Sequence, residues 1–136
     1  MLRFDANLSF LFGEAPFYER FALAREAGFS HIEFLNVFNY DLETLKAAVT
    51  DAGLHVVQFN FMDGDMPAGE RGFASHPDQR AAWRAAFTQA LDIARQLEAL
   101  QMHSLAGVIR SDLSRTEQLA TPVSYTHLTL PTIYSV

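Results

Sequence analysis

The tripeptides Ala27-Gly28-Phe29 and Ala52-Gly53-Leu54 mark the same junction twice. Each follows an amphipathic stretch and precedes a short apolar one. A glycine just past a periodic helix supplies the left-handed residue that ends it, and the apolar residue behind it opens a strand. Two such junctions, one strand-plus-helix length apart, make helix and strand alternate along the chain. That alternation means βαβ units and a parallel sheet, because parallel neighbours need a crossover between them. Right-handed crossovers leave two principal closures, an open doubly wound sheet or a barrel.

The remaining sequence fills this frame. Residues 3–10, "RFDANLSF", alternate loosely and predict a first strand. "GEAPFYERFALAREAGF" predicts a helix, with Pro16 in its first turn and Phe17, Phe21 and Ala24 on one face. "SHIEFL" (30–35) predicts the second strand. Asp41 is placed to cap a helix whose Leu42, Leu45, Ala48 and Val49 share a face. "LHVVQFNF" (54–61) predicts the third strand, and "MDGDMPAGERGFAS" a loop longer than the usual βα connection. Ser75 and Asp78 bracket a helix start at Pro77. The stripe of Trp83, Phe87, Ala90, Leu91, Ala94 and Leu97 is expected to pack on the sheet. "QMHSLAGV" (101–108) predicts a fourth strand, diluted by Gln101, His103 and Ser104, and "SDLSRTEQLA" opens a fourth helix. Four βα units are half of a (β/α)8 TIM barrel, an architecture that takes about 250 residues.

Composition narrows the partners. A net charge of -6 gives no footprint for nucleic acid or an anionic membrane. The absence of cysteine excludes disulfides and thiolate chemistry. Asp5 and Asn7 interrupt any signal-peptide core, and no apolar run approaches the roughly 20 residues a bilayer requires. The expectation is a cytoplasmic protein acting on small molecules, without nucleic-acid or membrane partners.

The pieces "FDANLSFLFGEAPFYERFALAREAGFSHIEFL", "YDLETL", "FN" followed by "GD…AGERG", and "H…AG" after a long helix resemble the hydroxypyruvate isomerase family. The resemblance runs from Met1 to about residue 120, and "ANLS.LF" and "AGERG" are its most specific parts. Departures occur at Asn36, Val37 and Asn39, where the family pattern has an aromatic, a proline and an acid. Met66 stands for an aromatic, and "LEAL" (97–100) lacks the glycine that closes the third helix. The resemblance implies an α/β fold, the N-terminal half of a xylose isomerase-like TIM barrel. It also implies interconversion of hydroxypyruvate and 2-hydroxy-3-oxopropanoate by enediol proton transfer. A divalent metal (Mg or Mn) and a pair of catalytic glutamates belong to that chemistry. In the family they lie on later strands, so no catalytic residue and no metal ligand is assigned in this chain. The alternatives are a 2-oxo-tetronate isomerase or another sugar isomerase or epimerase of the superfamily, an abasic-site endonuclease, which the charge disfavours, and a non-catalytic module binding a small acid.

Barrel sites sit at the C-terminal ends of strands and in the βα loops. That singles out Asn7, Glu33, Asn60 and His103 near strand ends, and Glu70 and Arg71 in the long loop, as candidate substrate-binding residues. Arg71 could hold a substrate carboxylate through two parallel hydrogen bonds, or Glu70 and Arg71 could be a solvated pair. Glu33 on an apolar strand must be pocket-facing or paired, for which Arg3 is a candidate partner. His103 could be a hydrogen-bonded core histidine, and Asn7 and Asn60 strand-end hydrogen bonders. His31, His55 and His76 lack metal-ligand spacing and read as surface groups. "GDMPAGERG" is no phosphate loop, since no Lys-Ser/Thr follows it.

The last stretch, "VSYTHLTLPTIYSV", is expected to have a different source. The codons GTC-TCT-TAT-ACA-CAT-CTG-ACG-CTG-CCG-ACG of a widely used transposase sequencing adapter translate to Val123–Thr132, and the adapter's next fixed segment gives Val136 and a stop. The expectation is therefore a barrel half over 1–122 and a non-native tail over 123–136. Such a half, with the acid–base pair missing, is expected to be inactive and to self-associate through its open edges.

Overall fold

The computed structural model describes residues 4–125. Arg3, the proposed partner of Glu33, and the tail beyond Tyr125 lie outside the described residues. The chain divides into two compact units, Met1–Phe61 with Ala86–His103, and Met62–Ala85 with Ser104–Val136.

The first unit carries a parallel sheet of four strands in the order β1 (Ala6–Asn7), β2 (His31–Phe34), β3 (His55–Asn60) and β4 (Gln101–His103). Helices α1 (Arg20–Glu26) and α2 (Leu42–Ala52) form the first two crossovers, and α3 (Arg80–Gln96) precedes β4. Consecutive parallel order with a helix in each crossover is what the glycine junctions require. Gly28 and Gly53 stand just past α1 and α2 with φ of +91° and +61°. Asp41 caps α2, its Oδ1 accepting the Thr44 N–H at 2.9 Å.

The helix-facing side of the sheet is aromatic. Phe34 and Phe59 are register partners with rings 6.0 Å apart. Phe34 also meets Phe17 and Tyr40 edge-on, and those two rings stack on each other at 3.9 Å. Phe21, Ile32, Leu45 and Val56 complete the buried core. Each such side chain contributes roughly 2–3 kcal/mol by its removal from water.

β1 is shorter than the alternation over 3–10 suggests. The Asn7 carbonyl accepts the N–H groups of both Phe10 and Leu11, which turns the chain away at once. Phe4 and Phe10, two beats of that alternation, are largely exposed. The first helix likewise opens late: Pro16 is extended and Phe17–Glu19 form a tight turn before α1.

In the second unit, α4 (Arg115–Val123) starts with a capping box between Ser114 and Glu117, as the fourth-helix reading expects. β4 stops at His103, where a strand over 101–108 was expected. Leu105 and Ala106 instead hydrogen-bond to the 72–75 segment, and Ala106 bridges Gly72 in antiparallel fashion. Neither Ser75 nor Asp78 caps the helix at Pro77: His76 precedes it without a side-chain cap, and Asp78 binds Arg110 at 2.8 Å. His76 is not a surface group but 6% exposed, its Nε2 donating to the Val108 carbonyl at 3.1 Å. Trp83 stacks at 3.9 Å on Tyr125 and donates from Nε1 to Ser104 Oγ, contacts that the stripe alone did not foretell. Burial raises the Tyr125 phenol above its ordinary pKa, against the lowering effect of Arg80.

Candidate active site

In the first unit, the sheet face opposite Phe34 and Phe59 is polar. Asn7, Glu33 and Gln58 are successive register partners across β1, β2 and β3. Glu33 Oε1 accepts from Asn7 Nδ2 at 2.8 Å and Oε2 from Gln58 Nε2 at 3.4 Å. The expected pairing of Glu33 is thus supplied by two neutral amides, which satisfy a half-buried carboxylate without neutralising it. Asn7 is itself fixed, because its Oδ1 accepts the Ser9 N–H at 3.0 Å. Ser9 Oγ in turn accepts the Leu35 N–H at 2.8 Å and bonds the Tyr40 phenol. Burial raises the Tyr40 pKa, with the Ser9 bond acting against it.

A second pair lies at the adjoining strand ends. Asn60 and His103 are register partners, and His103 Nδ1 lies 3.2 Å from Asn60 Oδ1. An amide oxygen only accepts, so Nδ1 is the donor of this bond. Asn60 is buried and His103 exposed. Parallel register places Gln58 and Asn60 on one face of β3, so the two groups of residues share that face.

Gln58 and Ser9 were not singled out in the sequence. Gln58 had a usable signal, a polar residue two positions before Asn60 in an otherwise apolar strand. Its pairing with Glu33 depends on a β-bulge between Ile32 and Glu33, which shifts the register and cannot be read from one strand alone.

Glu70 and Arg71 belong to the second unit. Glu70 Oε2 accepts the Asp65 N–H at 2.6 Å, and Asp65 Oδ1 accepts the Ala68 N–H, so Glu70 holds its own loop closed. Arg71 Nη1 donates to the carbonyls of Met66 and Glu70 at 2.9 and 2.6 Å. Those bonds orient the guanidinium while its Nε–Nη2 edge is left to other acceptors, the edge that fits a carboxylate with two parallel bonds. Among the described residues, no three His, Asp or Glu side chains converge to hold a metal. The divalent ion implied by the resemblance thus finds no fitting donor set here, and no step is routed through it.

A row of amides, one carboxylate and one imidazole along the ends of parallel strands suits the hydroxyl and carbonyl groups of a small oxygenated substrate. The family profile described as xylose isomerase-like TIM barrel matches residues 21–129. The chain belongs to that family. A 2-oxo-tetronate isomerase of Haemophilus influenzae is 38% identical over 117 residues, covering 86% of this chain and 45% of the relative. The hydroxypyruvate isomerase of Escherichia coli K12 is 38% identical over 123 residues, covering 90% and 48%. The crystal structure of an AP endonuclease, family 2, from Brucella melitensis superposes with a TM-score of 0.86 at 37% identity, over 91% of this chain and 48% of that one. The resemblance to hydroxypyruvate and 2-oxo-tetronate isomerases is borne out, and so is the xylose isomerase-like fold. The chain spans about half the length of these relatives. Among the described residues, no helix is long and apolar enough to cross a membrane.

Proposed function

We propose that this chain is the N-terminal part of an isomerase that interconverts hydroxypyruvate and 2-hydroxy-3-oxopropanoate. In that reaction a proton leaves C3 of hydroxypyruvate and one is added at C2, through an enediolate, with no net change in atoms or electrons. The supporting observation is the polar row Asn7–Glu33–Gln58 with Asn60–His103 beside it, on the sheet of a chain 38% identical to a hydroxypyruvate isomerase. In this reading the strand-end amides and Glu33 receive the substrate hydroxyl and carbonyl oxygens and His103 offers a ring nitrogen; Arg71, in the second unit, is by itself a candidate carboxylate binder.

The acid–base pair and the divalent metal (Mg or Mn) are assigned to strands beyond residue 122, and residues 123–136 to adapter sequence. The isolated chain then binds weakly and turns nothing over. A four-carbon 2-oxo-tetronate is the second substrate reading, supported by the equal 38% identity to an isomerase so named.

Sequencing the source DNA outward from the codons for Ser114–Pro122 tests the reading. A frame that continues into further βα units with glutamates at strand ends supports it. A frame that stops after Val136 overturns it in favour of a small-acid binding module. Saturable binding of hydroxypyruvate by the chain alone would then identify that module.

A further inference from the structure

The candidate active site leaves two histidines at the opposite ends of the strands unused. His31 opens β2 and His55 opens β3, and they are register partners in the parallel sheet. Their ring centres are 5.4 Å apart with planes inclined by 39°. Neither ring packs into the core: His55 is exposed and His31 half-exposed.

The separation is informative. A metal about 2.1 Å from a ring nitrogen lies about 3.2 Å from the ring centre, so two rings 5.4 Å apart subtend about 115° at a shared ion. That is close to the tetrahedral angle. His31 is also oriented from behind, because its Nδ1 lies 2.8 Å from Ser30 Oγ. With Nδ1–H donating to that hydroxyl, Nε2 keeps its lone pair, the arrangement by which outer partners fix a metal-binding imidazole. His55 carries no side-chain hydrogen bond among the described residues that would compete for its nitrogens.

The surroundings leave open positions beside the ring and carry charge of both signs. His55 lines an open groove of about 430 Å³, also bordered by Lys46, Thr50 and Gly53 of the α2 end and by Leu97 and Glu98 just past α3. Two helix C-termini thus border one groove, the negative ends of their dipoles.

The geometry points to a surface site for a borderline transition-metal ion such as Zn2+ or Ni2+, held by His31 and His55 and completed by water or an exogenous ligand. Imidazole nitrogens select such ions over Mg2+ or Ca2+. The site lies at the N-terminal strand ends and is separate from any ion the isomerase chemistry needs at the C-terminal ends.

Calorimetric titration of the chain with ZnCl2 in a non-chelating buffer tests it. The expected result at about pH 7.5 is one bound Zn2+, with affinity lost by about tenfold or more in His31→Ala and in His55→Ala and kept in His103→Ala. Binding that survives in both His31→Ala and His55→Ala overturns the site, as does loss confined to His103→Ala. A second reading needs no variant: Zn2+ shifts the Nε2 NMR resonances of His31 and His55 together in the unmodified chain. Unmoved resonances at saturating Zn2+ overturn the proposal.

Discussion

Replacing Glu98 by glycine should stabilise this protein, although the substitution deletes a side chain and makes no new contact. Three helices end on the same pair of backbone bonds. After α1, Gly28 N–H reaches the Arg25 carbonyl and Phe29 N–H the Ala24 carbonyl; after α2, Gly53 reaches Thr50 and Leu54 reaches Val49. After α3, Glu98 reaches Arg95 and Ala99 reaches Ala94. Only the third has a side chain at the left-handed position, with φ of +52°. The strain shows in the bond, 3.4 Å at Glu98 against 3.0 Å at Gly28 and Gly53. A left-handed non-glycine residue costs about 1–2 kcal/mol, and glycine's freedom in the unfolded chain returns about 0.5–1 kcal/mol of that. Removing a carboxylate from a helix C-terminus adds about 0.3 kcal/mol at low ionic strength. The net gain for Glu98→Gly is about 1 kcal/mol, or about 3–5 °C in Tm for a chain of this size. Glu98→Ala keeps the positive φ and should gain only the charge component. Urea unfolding of the three proteins, at equal m-values, decides the matter. A Glu98→Gly variant no more stable than Glu98→Ala would falsify the strain argument.

The second unit offers a steric counterpart: a Cβ on Gly72, at φ +84°, would collide with the Leu105 carbonyl oxygen. Gly72→Ala should therefore cost about 2–4 kcal/mol, read as a lower urea midpoint, and an unchanged midpoint contradicts the close approach. Acid should weaken the fold in a defined window. Hydrogen bonds from Thr44, Arg110 and Ser114 hold Asp41, Asp78, Asp112 and Glu117 below their ordinary carboxylate values. Their stabilisation is complete above about pH 4.5, the unfolded range, and is lost as pH falls through the lower folded values. Tm should stay level above that pH and decline below it, and a profile flat to pH 3 would contradict these bonds. In the proposed full-length isomerase, Arg71→Ala should raise KM by about tenfold to a hundredfold with a smaller change in kcat. Arg71→Lys should recover only part of it, since an ammonium cannot present the two-pronged edge. An unchanged KM removes Arg71 as a carboxylate binder.

The features readable in the sequence were those governed by local rules. Asp41 caps α2 and Ser114 opens α4 because a short oxygen side chain at a helix start has few other uses. Gly28 and Gly53 close helices because their φ values exclude most residues. Asn7, Glu33, Asn60 and His103 could be proposed from the end of each apolar run. What was not readable depends on register or on distant partners. The bulge beside Glu33 decides that Gln58 is its second amide. Asp78 looked like a cap because nothing local announces Arg110, far along the chain. His76 looked like a surface group because its partner, the Val108 carbonyl, belongs to a segment that alternation had assigned to β4. The missing glycine after α3 was visible, but not that Glu98 would adopt the glycine's conformation.

The most direct test of the proposed isomerase is proton NMR in D2O on the product of the extended reading frame, supplied with hydroxypyruvate and a divalent metal. The account predicts conversion to 2-hydroxy-3-oxopropanoate with deuterium appearing at C2, because the proton is passed through an enediolate open to exchange. Unchanged hydroxypyruvate, in a folded and metal-loaded protein, would contradict it.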